Sequence, residues 1–310
     1  IGGTSCKLAL MDSSGGLHHM GDIPTRARDG GEVLINRLIE AAGQLLRAAP
    51  PGSVAGIGIA SAGQIDFATG ICRYATEALP GWTGMDIGPR MRAAFGLPVW
   101  VENDANAAAL GEALAGAAKG AQSCVCITLG TGVGGGIIID GKIYGGFNFA
   151  GAELGHTVIV VDGHPCTCGR KGCWESYSSA TGLIRMTKEK MAETKETLMW
   201  ELAEGSLDNV SGKTAFAAMK QGDKAATEVV DKYISYLACG VTNIINIFQP
   251  EVLCIGGGIC REGDYLVKPL LEKVSAEQYT RSLKKQTEIK IAELGNDAGI
   301  IGAAALGKQQ

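Results

Sequence analysis

The sequence predicts an α/β protein built as two lobes. At 310 residues the chain is longer than one hydrophobic core usually grows, so we expect two lobes with a ligand cleft between them. The content of 46 glycines, 5% aromatic residues and a mean hydropathy of +0.13 is typical of a tightly packed fold with many close backbone turns. Short apolar runs alternate with segments of helical periodicity, which favours an α/β arrangement.

Residues 1–120 are predicted to form the N-terminal α/β lobe. Short apolar runs predict strands at 8–11, 54–59 and 99–102. Apolar residues at helical spacing predict helices over 32–48, 88–95 and 105–118. The lobe boundary is expected near Gly120, and a small-residue helix at 298–306 lies in the C-terminal segment 297–310, which we expect to rejoin this lobe.

Residues 121–296 are predicted to form the larger C-terminal lobe. A strand is expected at 125–129 and another at 251–255, each next to a glycine-dense turn. Between them lie a loop rich in Cys and Gly at 156–175 and a mainly helical stretch from 180 to 247. This lobe therefore carries the most distinctive local motifs of the sequence.

Charge and cysteine content narrow the class of function. The formal net charge of -4 and pI near 5.7 provide no basic field for nucleic acid, so chemistry on a small molecule is favoured. Ten cysteines in a long chain with no recognisable signal peptide indicate a reducing compartment, and we expect a cytoplasmic protein. No apolar stretch approaches the roughly 20 residues that span a bilayer.

The clearest local motif is a set of four metal-binding side chains in the loop 156–175: His156, Cys166, Cys168 and Cys173. Three thiolates and one imidazole match the closed tetrahedral set of structural zinc, and the glycines around them supply the turns that let four ligands converge. The alternative is that these are buried cysteines of ordinary apolar character. The other seven cysteines are assigned to that alternative.

Glycine-rich turns follow or precede three of the predicted strands. Glycine lets backbone N–H groups approach phosphate oxygens, and threonine hydroxyls add donors. Taken singly, such a turn is more often just a hairpin or a tight crossover, and the phosphate interpretation depends on the number of turns and their position next to strands. None matches a Lys-bearing nucleotide loop or a dinucleotide fingerprint. The turns comprise Gly2, Gly3 and Thr4; Gly130, Thr131, Gly132, Gly134, Gly135 and Gly136; and Gly256, Gly257 and Gly258.

Asn103 and Asp104 stand between a predicted strand and a predicted helix. A carboxylate at the carboxyl end of a strand can face the crevice where open α/β sheets bind ligands. In phosphoryl transfer, such a group can accept the proton of the acceptor hydroxyl. Asn and Asp are also favoured helix N-caps, so a purely structural role stays open at this point.

Two glutamates flank the proposed metal loop. Glu153 lies three residues before His156, and Glu175 lies two residues after Cys173. Carboxylates held by a rigid loop can accept hydrogen bonds from sugar hydroxyls with little ordering cost. The alternative for each is an ordinary solvated surface glutamate.

Taken together, these segments resemble the ROK family of sugar kinases, whose two-lobed actin-like ATPase fold has ribonuclease-H-like lobes. The likeness covers nearly the whole chain and is carried by an ordered series of motifs: IGGT at 1–4, ENDAN at 102–106, LGTGVGGG at 129–136, ELGH at 153–156, CTCGRKGCWE at 166–175 and IGGGI at 255–259. The resemblance implies ATP-dependent phosphorylation of a hexose to its 6-phosphate, with glucose as the first expectation, and a homodimer.

The resemblance also implies individual roles. Asp104 would be the general base, and His156 would bind both sugar and zinc. Mg²⁺ would lie between the phosphates of ATP. The implied sugar-binding residues are Gly63, Thr76, Asn103, Asp104, Glu153, His156 and Glu175. The implied ATP-binding residues are Gly2, Gly3, Thr4, Gly130, Thr131, Gly132, Gly257 and Gly258.

Two departures and two alternatives accompany this resemblance. The first motif of the family opens with an aspartate directly before the Ile-Gly-Gly-Thr run, and the sequence given starts at Ile1. Gln64 stands where some kinases of acylated amino sugars have a basic residue, which leans against that substrate class. The alternative substrates are N-acetylmannosamine and N-acetylglucosamine, and then mannose, fructose or allose. The alternative of another class is a sugar-responsive transcriptional regulator, which the absence of a basic patch and the presence of Asp104 disfavour.

Overall fold

In the computed structural model, which describes residues 1–309, contacts divide the chain into two compact units. Unit 1 comprises residues 1–126, 136–152 and 292 to the end of the described chain. Unit 2 comprises residues 127–135 and 153–291. The lobes expected from the sequence, 1–120 with 297–310 and 121–296, differ from these units mainly in the segment 136–152, which the contacts assign to unit 1.

The first part of the chain alternates strands with helices. Helix α1 ends a few residues before Pro50 and buries Leu34, Ile35, Leu38 and Ala42, which recur on one face as the sequence pattern predicts. The elements are β1 (Ser5–Met11), β2 (Leu17–Pro24), α1 (Gly31–Leu46), β3 (Ile57–Ser61), β4 (Gln64–Asp66), β5 (Ile71–Tyr74), α2 (Ile87–Phe95), β6 (Val99–Asn103) and α3 (Asp104–Ala115).

The second part carries the metal loop and the helical layer. The long helix α8 is amphipathic and begins at an N-cap aspartate, Asp223. The elements are β7 (Cys124–Leu129), β8 (Val133–Ile139), β9 (Lys142–Ile143), α4 (Glu175–Ser178), α5 (Ala180–Glu193), α6 (Leu198–Leu202), α7 (Thr214–Lys220), α8 (Lys224–Phe248), β10 (Val252–Gly256), α9 (Asp264–Glu277), β11 (Glu288–Ile291) and α10 (Ala298–Ala305).

Parallel pairing of β3 with β6 fixes the position of the Asn103–Asp104 motif. The register runs from Ile57 opposite Val99 to Ser61 opposite Asn103, so Asn103 ends its strand at the carboxyl edge of the pair. The antiparallel pair β1–β2 and the hairpin β4–β5 complete the strands of this region. In the described chain a five-stranded sheet has the order β11-β10-β7-β8-β9, and β10 is buried along its whole length.

Helix α3 is held by hydrogen bonds at its carboxyl end and by packing against α10. At its carboxyl end the buried side chain of Glu112 accepts hydrogen bonds from the backbone N–H groups of Ala117 at 2.8 Å, Glu293 at 3.2 Å and Leu294 at 2.9 Å. Helix α10 packs so closely on α3 that a Cβ at Gly302 would lie 1.7 Å from the carbonyl oxygen of Ala107. Unit 1 is therefore completed by residues from the far end of the chain.

The prediction of one long glycine turn after β7 was partly wrong. The predicted turn included Gly134, Gly135 and Gly136, but the structure ends the turn at Gly132 and places these three glycines in β8. A close packing contact explains the third of them, because a Cβ at Gly136 would lie 2.6 Å from the Ala105 carbonyl oxygen. This glycine is needed for packing against α3.

None of the helices formed by residues 1–309 is both long enough and apolar enough to cross a membrane.

Candidate functional site

The Asn103–Asp104 turn is the centre of the predicted site in unit 1. Asn103 is the N-cap of α3: its side-chain oxygen accepts hydrogen bonds from the N–H groups of Ala105 at 2.9 Å and Asn106 at 3.2 Å. Its amide nitrogen donates to the Gly63 carbonyl oxygen at 3.0 Å. The capping role left open by the sequence therefore belongs to Asn103, and Asp104 is the exposed first residue of the helix.

Two further residues of the predicted sugar site lie near the β4–β5 hairpin. Gly63 has φ +105°, and a Cβ there would lie 2.6 Å from the Tyr74 carbonyl oxygen, so only glycine fits. Thr76 lies in an exposed turn after β5, where its carbonyl oxygen accepts the N–H of Leu79 at 3.0 Å. The structure thus joins Gly63 to Asn103 directly, whereas Thr76 belongs to a neighbouring loop.

Gln64, the first residue of β4, contacts a loop of unit 1. Its side-chain amide donates to the carbonyl oxygen of Asn148 at 2.7 Å, and nearby the rings of Phe67 and Phe149 stack edge to face at 5.1 Å. The side chain at position 64 therefore contacts the backbone of the loop at 145–151.

A cavity of about 1280 Å³ also lies within unit 1. Its walls are mainly aliphatic, including Leu8 and Leu10 of β1 and Ile57 and Ile59 of β3, and Asp104 borders it. Polar residues such as Lys7, Asp12 and Asn296 also line it.

The four predicted metal ligands come together in unit 2. The ligand atoms of His156, Cys166, Cys168 and Cys173 all lie within 4.8 Å of one another. Cys166 Sγ is 3.5 Å from His156 Nδ1, and the sulfur atoms of Cys168 and Cys173 are 3.6 Å apart. Tetrahedral zinc with thiolate bonds of about 2.3 Å places its sulfur ligands about 3.8 Å apart. The donor set and its spacing therefore fit a zinc ion.

The loop folds this way because glycines permit its tight reversals. Gly169 and Gly172 have φ values of +87° and +79°, and a Cβ at Gly172 would lie 1.7 Å from the Val160 carbonyl oxygen. The N–H of Cys166 donates to the Arg170 carbonyl oxygen at 2.8 Å, which closes the turn that carries Cys168. The metal-free thiol of Cys173 is buried, and burial raises its pKa to about 12, so ion binding must displace a proton there.

The seven other cysteines lie outside this cluster, as expected. Cys239 and Cys260 are half-buried, and five are buried: Cys6, Cys72, Cys124, Cys126 and Cys254.

The acidic residues at the two ends of the metal loop have different surroundings. Glu153 is exposed, with a carboxylate oxygen 3.9 Å from His156 Nε2, so the imidazole faces the cluster with one nitrogen and Glu153 with the other. One oxygen of Glu175 accepts the backbone N–H of Val133 at 3.0 Å, and the other lies 3.7 Å from Cys166 Sγ. Glu175 therefore joins the metal cluster to the turn before β8.

Two of the three predicted phosphate turns lie close together in unit 2. Gly257 has φ +104°, and a Cβ there would lie 2.2 Å from the carbonyl oxygen of Leu129, which directly precedes Gly130. The turn 130–132 is closed by a hydrogen bond from Gly130 N–H to the Gly132 carbonyl oxygen at 3.0 Å. The hydroxyl of Thr181 donates to the Thr131 carbonyl oxygen at 2.8 Å. These contacts fix the conformation of a glycine-lined surface with exposed backbone.

The first predicted phosphate turn lies in unit 1. Gly2 N–H donates to the Ser5 carbonyl oxygen at 3.0 Å, and Thr25 binds the carbonyl oxygens of Gly2 through its hydroxyl at 2.6 Å and of Thr4 through its N–H at 2.9 Å. A Cβ added at Gly3 would meet no atom of residues 1–309 within 4 Å, apart from its chain neighbours.

Sequence reasoning missed two residues that shape these sites. Thr181 supports the second glycine turn from the start of α5, and Glu102 lies buried beneath the Asn103–Asp104 turn. A charged residue that ends an otherwise apolar strand was the available signal for Glu102. No local signal existed for Thr181, because its partner lies 50 residues away.

Comparison with known proteins gives full-length matches. The ROK family model matches residues 1–310. The glucokinase of Halalkalibacterium halodurans is 38% identical, with 100% of this chain and 94% of that protein covered. The glucokinase of Thermotoga maritima is 36% identical, with 100% and 96% covered. The crystal structure of a ROK family glucokinase from Streptomyces griseus with glucose and AMPPNP superposes with a TM-score of 0.81 at 32% identity, covering 100% of this chain and 98% of that one.

Proposed function

The chain belongs to the ROK family and is a sugar kinase, and from this premise we propose that it is a glucokinase that phosphorylates the 6-hydroxyl of glucose with ATP. The observation that carries the proposal is that similarity to glucokinases extends over the whole chain, including every segment with a predicted site residue. The α/β architecture agrees with the actin-like ATPase fold of the ROK glucokinase structures.

Asp104 is the proposed general base. It accepts the proton of the sugar hydroxyl while that oxygen forms a bond to the terminal phosphorus of ATP and the bond from that phosphorus to the bridging oxygen breaks, which releases ADP. Two observations support this assignment: Asp104 is exposed at the carboxyl end of β6, and Asn103 supplies the helix cap in its place.

Sugar binding is proposed for residues of each unit. Gly63, Thr76 and Asn103 are the proposed ligands in unit 1, and the hydrogen bond between Asn103 and Gly63 supports their joint placement. Glu153, His156 and Glu175 are the proposed ligands in unit 2. The two differently placed nitrogens of His156 support its dual role, with Nδ1 toward the metal cluster and Nε2 toward Glu153.

ATP binding is proposed for the glycine turns at 2–4, 130–132 and 257–258. Their support is the exposed backbone of the second and third turns and their close approach through Gly257 and Leu129. A Mg²⁺ ion bound with the phosphates would neutralise charge that develops during transfer. A homodimer and a cytoplasmic location complete the proposal by family resemblance.

Zinc has a structural role in this proposal. His156, Cys166, Cys168 and Cys173 would hold it, and a closed four-ligand site leaves the ion no catalytic position. The bound ion would make the loop rigid, and the loop would thereby hold Glu153 and Glu175 at its ends.

A sugar panel with coupled ADP detection tests the function. Glucose, mannose, fructose, allose, N-acetylglucosamine and N-acetylmannosamine are compared at equal ATP, and NMR of the product locates the phosphate. We expect the highest kcat/KM with glucose and phosphate on the 6-oxygen. An N-acyl sugar that exceeds glucose tenfold would reassign the substrate. ADP formation with none of the sugars, together with a sugar-dependent gel shift on operator DNA, would favour the regulator class.

A further inference from the structure

A buried pair of polar side chains underlies the Asn103–Asp104 turn. Glu102 of β6 is 6% exposed, and Asn106, one helical turn later in α3, is 5% exposed. One carboxylate oxygen of Glu102 accepts two hydrogen bonds, from the backbone N–H of Asn103 at 2.8 Å and from the Asn106 side-chain amide at 3.1 Å. The pair thus joins the last residues of the strand to the first turn of the helix.

Burying this pair of polar side chains costs the protein stability. Burial raises the pKa of Glu102, and the two hydrogen bonds only partly oppose that effect. The side-chain oxygen of Asn106 is buried without a hydrogen-bond partner in the part of the chain that the structure describes. Because unsatisfied buried polar groups cost stability, two apolar side chains would stabilise this core better. The presence of this pair therefore indicates that the protein requires a particular geometry of the neighbouring residues more than it requires stability at this place.

The buried pair controls the geometry of Asn103 and Asp104, which follow Glu102 in the chain. Glu102 holds the N–H of Asn103, and the side chain of Asn103 holds the first N–H groups of α3 and the Gly63 carbonyl oxygen. Asp104 follows Asn103 directly, and its own carboxylate accepts the Ala105 N–H at 2.9 Å. A shift of the Asn103 backbone therefore moves Asp104 and the Gly63 contact together.

We propose that Glu102 and Asn106 are positioning residues, which hold Asn103 and Asp104 in the orientation needed to bind the sugar and accept its proton. The effect expected on kcat rests on the proposed kinase function. The effect expected on the geometry of Asn103 and Asp104 does not depend on that function. The carboxylate acts through length and acceptor capacity, so an isosteric amide can replace it and a shorter carboxylate cannot.

The same helix contains a matched control. Glu112 is also a buried carboxylate, it also accepts backbone N–H groups, and it lies at the opposite end of α3. Substitutions of Glu112 perturb folding of the same helix without touching Asn103. Comparing the two positions separates positioning from general loss of stability.

The test compares E102Q and E102D with E112Q and E112D, by thermal unfolding and by kcat and KM for glucose and ATP. We expect E102Q to keep kcat within about threefold of the wild type. E102D should lower kcat by about 10- to 100-fold because of a displacement on the ångström scale, with KM for ATP within about twofold. E112D should lose similar thermal stability and keep its kcat. Equal losses of kcat in E102D and E112D, or a wild-type kcat in E102D, would overturn the inference.

Hydrogen exchange supplies a readout that does not depend on any reaction. The N–H groups of Ala105 and Asn106 are protected by the Asn103 cap, so E102D should accelerate their exchange at least about tenfold relative to E112D. Unchanged exchange would overturn the inference even if the protein is a kinase. Accelerated exchange in a protein that phosphorylates no sugar would support the geometry and refute the proposed function.

Discussion

The carboxylate of Glu175 accepts a hydrogen bond from the backbone N–H of Val133 at 3.0 Å. Its second oxygen is 3.7 Å from the sulfur of Cys166. One side chain thus contacts both the metal cluster and the glycine turn proposed to bind phosphate, and a Cβ at Gly132 would lie 2.2 Å from it. The conformation of that turn is consequently tied to the metal loop.

Removal of this side chain is the first prediction. In E175A, Val133 N–H loses a charged acceptor, a bond typically worth about 1.5–3 kcal/mol, and the turn at 130–132 loosens. We expect KM for ATP to rise about fivefold or more, in addition to weaker glucose binding. Steady-state kinetics with both substrates varied measure this. E228A, which removes an exposed ion pair to Lys190, is the control and should leave both constants unchanged. An unaltered KM for ATP in E175A contradicts the link.

Loss of the proposed base is the second prediction. D104N retains the shape of the side chain but accepts protons poorly, so we expect kcat to fall by about 100-fold or more while glucose binding persists. Calorimetric titration with glucose and single-turnover kinetics measure the two effects. D140N is the control, since Asp140 lies exposed with φ 52°, a conformation that Asn tolerates. Near-normal turnover of D104N would remove Asp104 from this role.

Zinc removal is the third prediction. Purified protein should contain about one zinc per chain by atomic emission, and stripping the ion should lower Tm by several degrees and weaken glucose affinity. C173S, which deletes a buried ligand, should reproduce both effects. C239S, at a half-buried cysteine outside the cluster, should reproduce neither. Full thermal stability in a verified metal-free sample would contradict the structural role.

Adjacent glycines provide the fourth prediction. Gly257 has φ +104° and a close neighbour in the Leu129 carbonyl oxygen, so G257A should destabilise the fold by about 3 kcal/mol or more. Gly258 has open space within 4 Å throughout residues 1–309 and no positive φ, so G258A should cost less than about 1 kcal/mol and act mainly on KM for ATP. Urea unfolding and ATP kinetics separate the effects. Equal stabilities of the two variants would refute the argument.

The fifth prediction concerns acid and the N-cap of α8. Burial alone would raise the pKa of Asp223, but hydrogen bonds from Ala226 N–H, the Thr197 hydroxyl and Leu198 N–H outweigh it and lower the pKa. The stability contributed by its charge is therefore complete above about pH 4 and is lost as the pH falls through the lowered value.

In D223N, the free energy of unfolding should be lower than in wild type by about 1–2 kcal/mol at pH 7, and this difference should shrink below about pH 4. Urea unfolding at several pH values measures it. D231N alters an exposed carboxylate on the same helix, paired with Lys273, and should change little. A difference for D223N that does not depend on pH would contradict the assignment.

The sequence was sufficient for features set by local spacing. The ligands in 156–175 converge because glycines permit the turns between them, and the Asn103–Asp104 motif lies at a strand end as expected. The helix expected at 32–48 is α1, and the strand expected at 99–102 is β6. Such elements follow from periodicity and turn residues, which neighbouring positions determine.

Contacts between segments that are distant in the chain could not be predicted from local sequence patterns. The bond between Asn103 and Gly63 joins residues 40 positions apart, and that between Gln64 and Asn148 joins residues 84 apart. Strand β2 escaped prediction because most of its side chains are exposed, and β8 because it contains a run of glycines, of which Gly136 packs closely against α3. These features depend on tertiary packing, for which a single sequence offers no periodic signal.

The hydrogen bond from the Leu294 N–H to the Glu112 carboxylate has a consequence for biosynthesis. The donor is made 182 positions after the acceptor, so a nascent chain must wait about ten seconds or more, at roughly 5–20 residues per second, before this buried charge acquires its full set of partners. Until then α3 lacks the cover of α10, and its small apolar residues stay unpacked on that side. Unit 1 can therefore complete its packing only after all residues of unit 2 have been synthesised.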